Sequence, residues 1–167
     1  MRDLNKKGLR ILVIQLFRQF EGAATVNLTK DSAQGKGSES MDSRARVATV
    51  LLVEDTEDNR QMMRRLLELS GFKVVEATNG KEAVELAAEV EPDVILMDLS
   101  LPLVDGLAAT RRIRQLPGLE RVPIIAVSAH DTADFHSEAL AAGCDAYITK
   151  PIDYSELEEV VDRLIRS

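Results

Sequence analysis

Val94-Ile95-Leu96-Met97-Asp98 carries four consecutive apolar side chains into a carboxylate. A strand with one wet face alternates apolar and polar residues. An unbroken apolar run is covered on both faces, as inside a parallel sheet. The strand is placed over 93–97, with Asp98 at its carboxyl end. A loop with Pro102 and Gly106 follows.

The same texture extends both ways. Val50-Leu51-Leu52-Val53 is a short buried strand ending at Glu54-Asp55. Met62, Met63, Leu66 and Leu67 recur at helical spacing, are read as core, and Gly71 stops that helix. Lys73–Ala77 is a second strand, and Ala83, Val84, Ala87 and Ala88 mark a second helix. Beyond Gly106 come a helix around Ala108–Gln115, a strand over Pro123–Val127, a helix near Ala133–Ala142 ended by Gly143, and a strand over Ala146–Thr149. Leu157, Val160, Val161, Leu164 and Ile165 mark a last helix, with Asp153 and Glu156 spaced as a capping box. Strands alternating with helices imply an α/β fold: a doubly wound, five-stranded parallel sheet with five helices on its two faces.

The 167 residues suffice for one ordinary domain, and a hydrophobic fraction of 45% supports a core. Residues 1–46 hold 9 Lys/Arg and 5 Asp/Glu, a net of +4; the remaining 12 basic and 23 acidic residues give the rest a net of -11. That balance excludes a general nucleic-acid surface and points to proteins or cations as partners. The polar run from Gly22 to Arg46 cannot bury enough apolar surface to order itself. Residues 1–46 are therefore expected to be a disordered leader and 47–167 the folded domain. Met41 is an alternative true start, with the leader an artefact of start assignment. The lone Cys144 cannot form an internal disulfide, so a cytoplasmic setting is expected. No stretch approaches the ~20 apolar residues of a membrane span. Leu9–Phe17 is short for a signal sequence and is followed at once by Arg18.

In such sheets ligands sit beyond the carboxyl ends of the strands, at the switch point. Those ends carry Glu54 and Asp55, Asp98, Ser128 and Lys150. Carboxylates ~4 Å apart repel by roughly 4 kcal/mol at an effective dielectric near 20, so the acids will hold a proton or recruit a cation. An open, all-oxygen site suits Mg²⁺, which readily adds phosphate oxygens. Lys150 supplies a positive point charge and Ser128 a hydroxyl donor. Phosphoryl transfer needs little more than such positioning and neutralisation.

Four segments carry a family resemblance: Val50–Asn59 (VLLVEDTEDN), Val94–Gly106 (VILMDLSLPLVDG), Ile124–His130 (IIAVSAH) and Gly143–Ile152 (GCDAYITKPI). Over residues 48–166 the chain resembles the CheY-like receiver domains of response regulators, of the stand-alone type. The resemblance implies a flavodoxin-like strand order 2-1-3-4-5 and a phosphoacceptor in a two-component or phosphorelay pathway, not a turnover enzyme. It implies that Asp98 takes the phosphoryl group from a sensor histidine kinase or a phosphotransfer protein. Asp55, Asp98 and the Ser100 backbone carbonyl would hold Mg²⁺, with Glu54 acting through a bound water. Ser128 would bind a phosphoryl oxygen, Lys150 would pair with Asp98, Tyr147 would be an aromatic switch following Ser128, and the Lys150-Pro151 bond would be cis. No output module follows the last helix in this sequence. Output is therefore expected through a protein target at the face of helix 4, strand 5 and helix 5, without direct nucleic-acid or membrane contact.

The competing readings are a Mg²⁺-dependent aspartyl-nucleophile phosphohydrolase, a flavin module and an unphosphorylated interaction domain. The first usually has a second acid where Ser100 stands; the second needs a hydroxyl- and glycine-rich loop where Glu54 to Asp58 stand. The third discounts a complete set of pocket residues. His130 reads as a loop residue near the pocket, His136 as a surface residue, Cys144 as a small buried hydrophobe, and Arg111 to Arg114 as a solvated helix face.

Overall fold

The computed structural model describes residues 46–166. The expectations for the leader and for Met41 lie outside these residues. Five strands alternate with five helices: β1 (Thr49–Val53), α1 (Glu57–Leu69), β2 (Lys73–Ala77), α2 (Gly80–Val90), β3 (Val94–Asp98), α3 (Gly106–Ile113), β4 (Ile124–Ser128), α4 (Ala133–Ala142), β5 (Ala146–Thr149) and α5 (Tyr154–Ile165). All strand pairs are parallel, in the order β2-β1-β3-β4-β5. This is the expected doubly wound sheet. Its order reverses between β1 and β3, so their carboxyl ends open the crevice where such sheets bind ligands.

The period of two along each strand divides the core. Leu51, Val53, Ile95, Met97, Ile124 and Ala126 face one side, packed with Ala83 and Ala87 of α2, Ala109 and Ile113 of α3 and Ala139 of α4. Val50, Leu52, Val94, Leu96 and Ile125 face the other, packed with Met63 and Leu67 of α1 and Leu157 and Val161 of α5. The central strands β1, β3 and β4 are buried at every residue, whereas the edge strand β2 begins exposed. The small residues of α2 permit close approach to the sheet; the larger side chains of α1 and α5 fill the opposite layer.

Two expectations shift. The third helix starts at Gly106 rather than Ala108 and stops at Ile113, because the Asp105 carboxylate accepts from Ala108 N and caps it two residues early. Gly106 is required there: a Cβ would lie 2.2 Å from the carbonyl oxygen of Asp98. At α5, Asp153 caps as expected, but its carboxylate accepts from Ser155 N, one residue before the Glu156 position. Among the described residues no helix is long and apolar enough to cross a membrane.

Candidate functional site

β1 and β3 run in register, with Val53 opposite Met97. One step further, the chains deliver Glu54 and Asp98 side by side. One carboxylate oxygen each of Glu54, Asp55 and Asp98 lies within 4.8 Å of the others. Glu54 and Asp98 are only 2% and 3% exposed, while Asp55 faces solvent. Lys150, following β5, reaches across: its Nζ donates to Asp98 Oδ2 at 2.6 Å and to Glu54 Oε2 at 2.8 Å. Burial alone lowers the Lys150 pKa, but its bonds to Asp98 and Glu54, with their charges, outweigh this and hold it above its ordinary value. One ammonium against three carboxylates leaves a formal surplus of negative charge. All donors are oxygens and one lies at the solvent edge, so the set fits a hard divalent cation that keeps several waters.

Two backbone donors and one side-chain amide hold the acids in place. Ser100 N donates to Asp98 Oδ1 at 2.8 Å, which turns the chain after β3 back over the carboxylate. Glu54 Oε1 accepts longer bonds from Thr56 N at 3.3 Å and Asn59 Nδ2 at 3.4 Å. Ser128 is 1% exposed and ends β4 one residue beyond Val127, the register partner of Asp98. Its Oγ accepts from His130 N at 3.1 Å. The Lys150-Pro151 bond is cis.

Tyr147, on β5, reaches the loop that follows β4. Its hydroxyl donates to the His130 carbonyl at 2.6 Å, and its ring stacks on His136 with centroids 3.9 Å apart. His130 is the expected loop residue beside the pocket; its ring stacks on Phe135, 4.3 Å away. His136 is half-exposed and pairs with Asp131 at 3.0 Å. Cys144 is buried near Thr110.

The sequence expectations thus converge on one place: residues 54, 55, 98, 128 and 150 share one end of the sheet. The structure adds Lys150's bond to Glu54. It also corrects Met62. Met63 is core, but Met62 is 51% exposed, because the inward stripe of α1 runs through Met63 and Leu67 and leaves Met62 a quarter-turn outside. Met62 instead lines an open cleft of about 250 Å³ with Glu54, Asn59, Met63, Lys150, Pro151, Ile152 and Tyr154. Asn59 and Tyr154 carried no signal of their own in the sequence. They sit in the first turns of α1 and α5, and only the packing of those helices on one face brings both to Glu54.

A doubly wound α/β domain with an acidic, lysine-bridged crevice at its switch point defines the class. The chain belongs to the response regulator receiver domain family, whose model matches residues 50–162. It is 40% identical over 113 residues to the polar-differentiation response regulator DivK of Brucella anthropi, covering 68% of this chain and 92% of that one. Among solved structures it is similar to the receiver domain of the sensor histidine kinase PA1611 of Pseudomonas aeruginosa PAO1, which has a magnesium ion coordinated in its active-site cleft. The identity is 37% and the TM-score 0.69, over 72% of this chain and 99% of that one. It is also similar to the chemotaxis protein CheY4 of Vibrio cholerae, at 27% identity and a TM-score of 0.68 over 71% and 98% of the two chains. Receiver domains of this family are phosphorylation-dependent switches of two-component signalling that interact with histidine kinases, phosphotransfer proteins and downstream targets.

Proposed function

We propose that this chain is a switch charged on Asp98. The observation that carries the reading is the Lys150 ammonium bridging the buried Asp98 and Glu54 carboxylates at the edge of a three-carboxylate cluster. An Asp98 carboxylate oxygen attacks the phosphorus of a phosphohistidine on a sensor kinase or phosphotransfer protein. The new O–P bond forms as the N–P bond breaks, and the imidazole leaves with the electron pair and takes up a proton. Asp55, Asp98 and the Ser100 backbone carbonyl would hold Mg²⁺, with Glu54 acting through a bound water. The ion supplies charge neutralisation that lets a phosphate approach the acids. Lys150 follows the charge onto the phosphoryl oxygens, and Ser128 turns its hydroxyl from His130 N toward them. Tyr147 then changes its hold on the His130 carbonyl. That alters the face formed by α4, β5 and α5, where a downstream protein docks.

The aspartyl-nucleophile phosphohydrolase is not favoured. The position two residues after Asp98 is Ser100, engaged through its backbone N–H, with no carboxyl to serve as general acid. The test is incubation with Mg²⁺ and a small acyl phosphate, followed by intact mass. One phosphoryl group is expected on the wild type, and none on Asp98→Asn or in the presence of chelator. Incorporation on Asp98→Asn equal to the wild type would remove Asp98 from the role.

A further inference from the structure

The Tyr154 hydroxyl is the one buried side-chain oxygen or nitrogen among the described residues without a hydrogen-bond partner. A buried, unsatisfied hydroxyl is costly and uncommon, so it marks either a lost partner or a partner yet to come. The residue packs against the core cluster that includes Ile148, Leu157 and Val161, so the position as a whole is well supported. Only the hydroxyl is left over. Tyr154 lines the cleft that Glu54, Asn59 and Lys150 also line, with its hydroxyl buried in the wall.

Glu54 is the matching half. Its Oε2 is held by Lys150 at 2.8 Å, but its Oε1 has only the two long bonds to Thr56 N and Asn59 Nδ2. An ionised carboxylate has about four acceptor directions, and at least one remains for a further donor. The bond to Lys150 is also the one that phosphorylation disturbs, since the same ammonium serves Asp98. As Lys150 shifts toward a phosphoryl group on Asp98, Glu54 loses its strongest donor while remaining buried.

We propose that Tyr154 is a positioning residue: its hydroxyl donates to Glu54, directly or through one water in the cleft, and takes over the hold on that carboxylate when Lys150 or a divalent ion reorganises the cluster. This rests on the reading of the cluster as a Mg²⁺ and phosphoryl site. Burial, with the nearby Glu54 charge adding to it, pushes the Tyr154 pKa up to about 12, so the group remains a donor throughout the working range.

The test is Tyr154→Phe, which removes one oxygen and keeps the ring. In chelator the variant melts at the same temperature as the wild type or roughly 3 °C higher, because an unsatisfied group has been removed. Mn²⁺ binding, followed by loss of the free-ion paramagnetic resonance signal, weakens by about ten-fold, the scale of one hydrogen bond to a charged group. In a Glu54→Gln background the same substitution leaves Mn²⁺ affinity unchanged, since the residue acts through Glu54. A lower melting temperature in chelator shows that the hydroxyl already had a partner, and overturns the proposal. Unchanged Mn²⁺ affinity, or an equal loss in the Glu54→Gln background, overturns it too. Failure of the wild type itself to bind Mn²⁺ overturns instead the reading of the cluster as a metal site, so the two failures are distinguishable.

Discussion

Two part-buried cations sit at opposite ends of the same sheet, and they are used differently. Lys150 stands at the carboxyl ends of the strands between Asp98 and Glu54. Arg114 stands at the other end, just past α3. Its guanidinium donates to the Gly143 carbonyl at 2.9 and 2.6 Å, to the Val122 carbonyl at 2.6 Å, to the Leu119 carbonyl at 3.3 Å and to Asp145 Oδ2 at 2.8 Å. Asp145 Oδ2 in turn accepts from Ile124 N at 2.8 Å, so the entries to β4 and β5 and the end of α4 are tied together. Arg114 thus serves four acceptor groups with a rigid fork and one opposing charge. Lys150 serves two charged acceptors with a mobile point charge, in a cluster that still holds surplus negative charge. The first arrangement is finished in the free protein. The second, on the proposed function, is completed by a ligand. The proposed function thus puts stability at one end of the sheet and responsiveness at the other.

The largest expected effect falls on the finished end. Arg114→Ala takes a donor from three carbonyls and from the Asp145 carboxylate, and should cost about 3 kcal/mol in urea unfolding. Below its lowered melting temperature the variant should still accept one phosphoryl group on Asp98. Normal stability would mean that the fork is incidental; loss of phosphoryl acceptance in the folded variant would mean that the two ends are not separable. Arg114→Lys should recover little, because one ammonium cannot reach all four groups.

A smaller loss is expected at the responsive end. Lys150→Met leaves Glu54 and Asp98 buried without their cation. In chelator it should reduce stability by about 1–2 kcal/mol at neutral pH, the carboxylates regaining part of that by proton uptake. Added Mg²⁺ should raise its melting temperature more than it raises that of the wild type. The pH dependence has a definite sign. The folded-state pKa of Lys150 is raised, so its contribution is complete below its ordinary value of 10.5 and is lost as pH rises through the folded value. Tyr154 acts in the same direction. Its hydroxyl ionises in the unfolded chain from its ordinary value of 10.0 but in the folded one only near about 12, which favours unfolding in that window. The metal-free wild type should therefore lose stability steeply above pH ~10, and Lys150→Met less steeply. Parallel alkaline limbs for the two proteins would show that the ammonium is not stabilised by its acids.

This asymmetry explains what the sequence made legible. The strands were readable because Val94 to Met97 and Val50 to Val53 are unbroken apolar runs, and the placement of the acid–lysine cluster because strand ends are where such a sheet puts its polar side chains. β2, α4 and β5 fall on the residues read from the sequence. The finished end was not readable. Arg114 closes the run Arg111-Arg112-Ile113-Arg114, which looks like a solvated helix face, and Arg111 and Arg112 are indeed exposed. Arg114 lies just past the last turn of α3 and turns inward to Gly143, 29 residues away. No local pattern encodes that distance. Gly143 marks the place only afterwards: it has φ +106, and a Cβ there would lie 3.0 Å from Arg114 Cγ. Tyr154 was invisible for a similar reason. At the start of an amphipathic helix an aromatic residue reads as packing, and its ring does pack. Whether its hydroxyl has a partner depends on other segments: the end of β1, α1 and the turn after β5.

The smallest effect is also the one with the opposite sign. If surplus charge at the carboxyl ends is what keeps the site unfinished, removing one acid there should stabilise the free protein. Asp55 is the choice because it is exposed and meets neither Lys150 nor the core. Its Oδ1 only accepts a 3.3 Å bond from Thr56 Oγ1, which an amide oxygen can also accept. Asp55→Asn should raise the melting temperature in chelator by about 1–2 °C, because the remaining carboxylates lose a repulsive neighbour that solvent already screens. The same substitution should abolish the rise in melting temperature that Mg²⁺ gives the wild type, since ligand binding to the folded state is what produces that rise. Gain without Mg²⁺ and loss with it is a pattern that a purely structural carboxylate cannot give. A lower melting temperature in chelator would instead place Asp55 among the groups that hold the fold, and the division of labour between the two ends would fail at that residue.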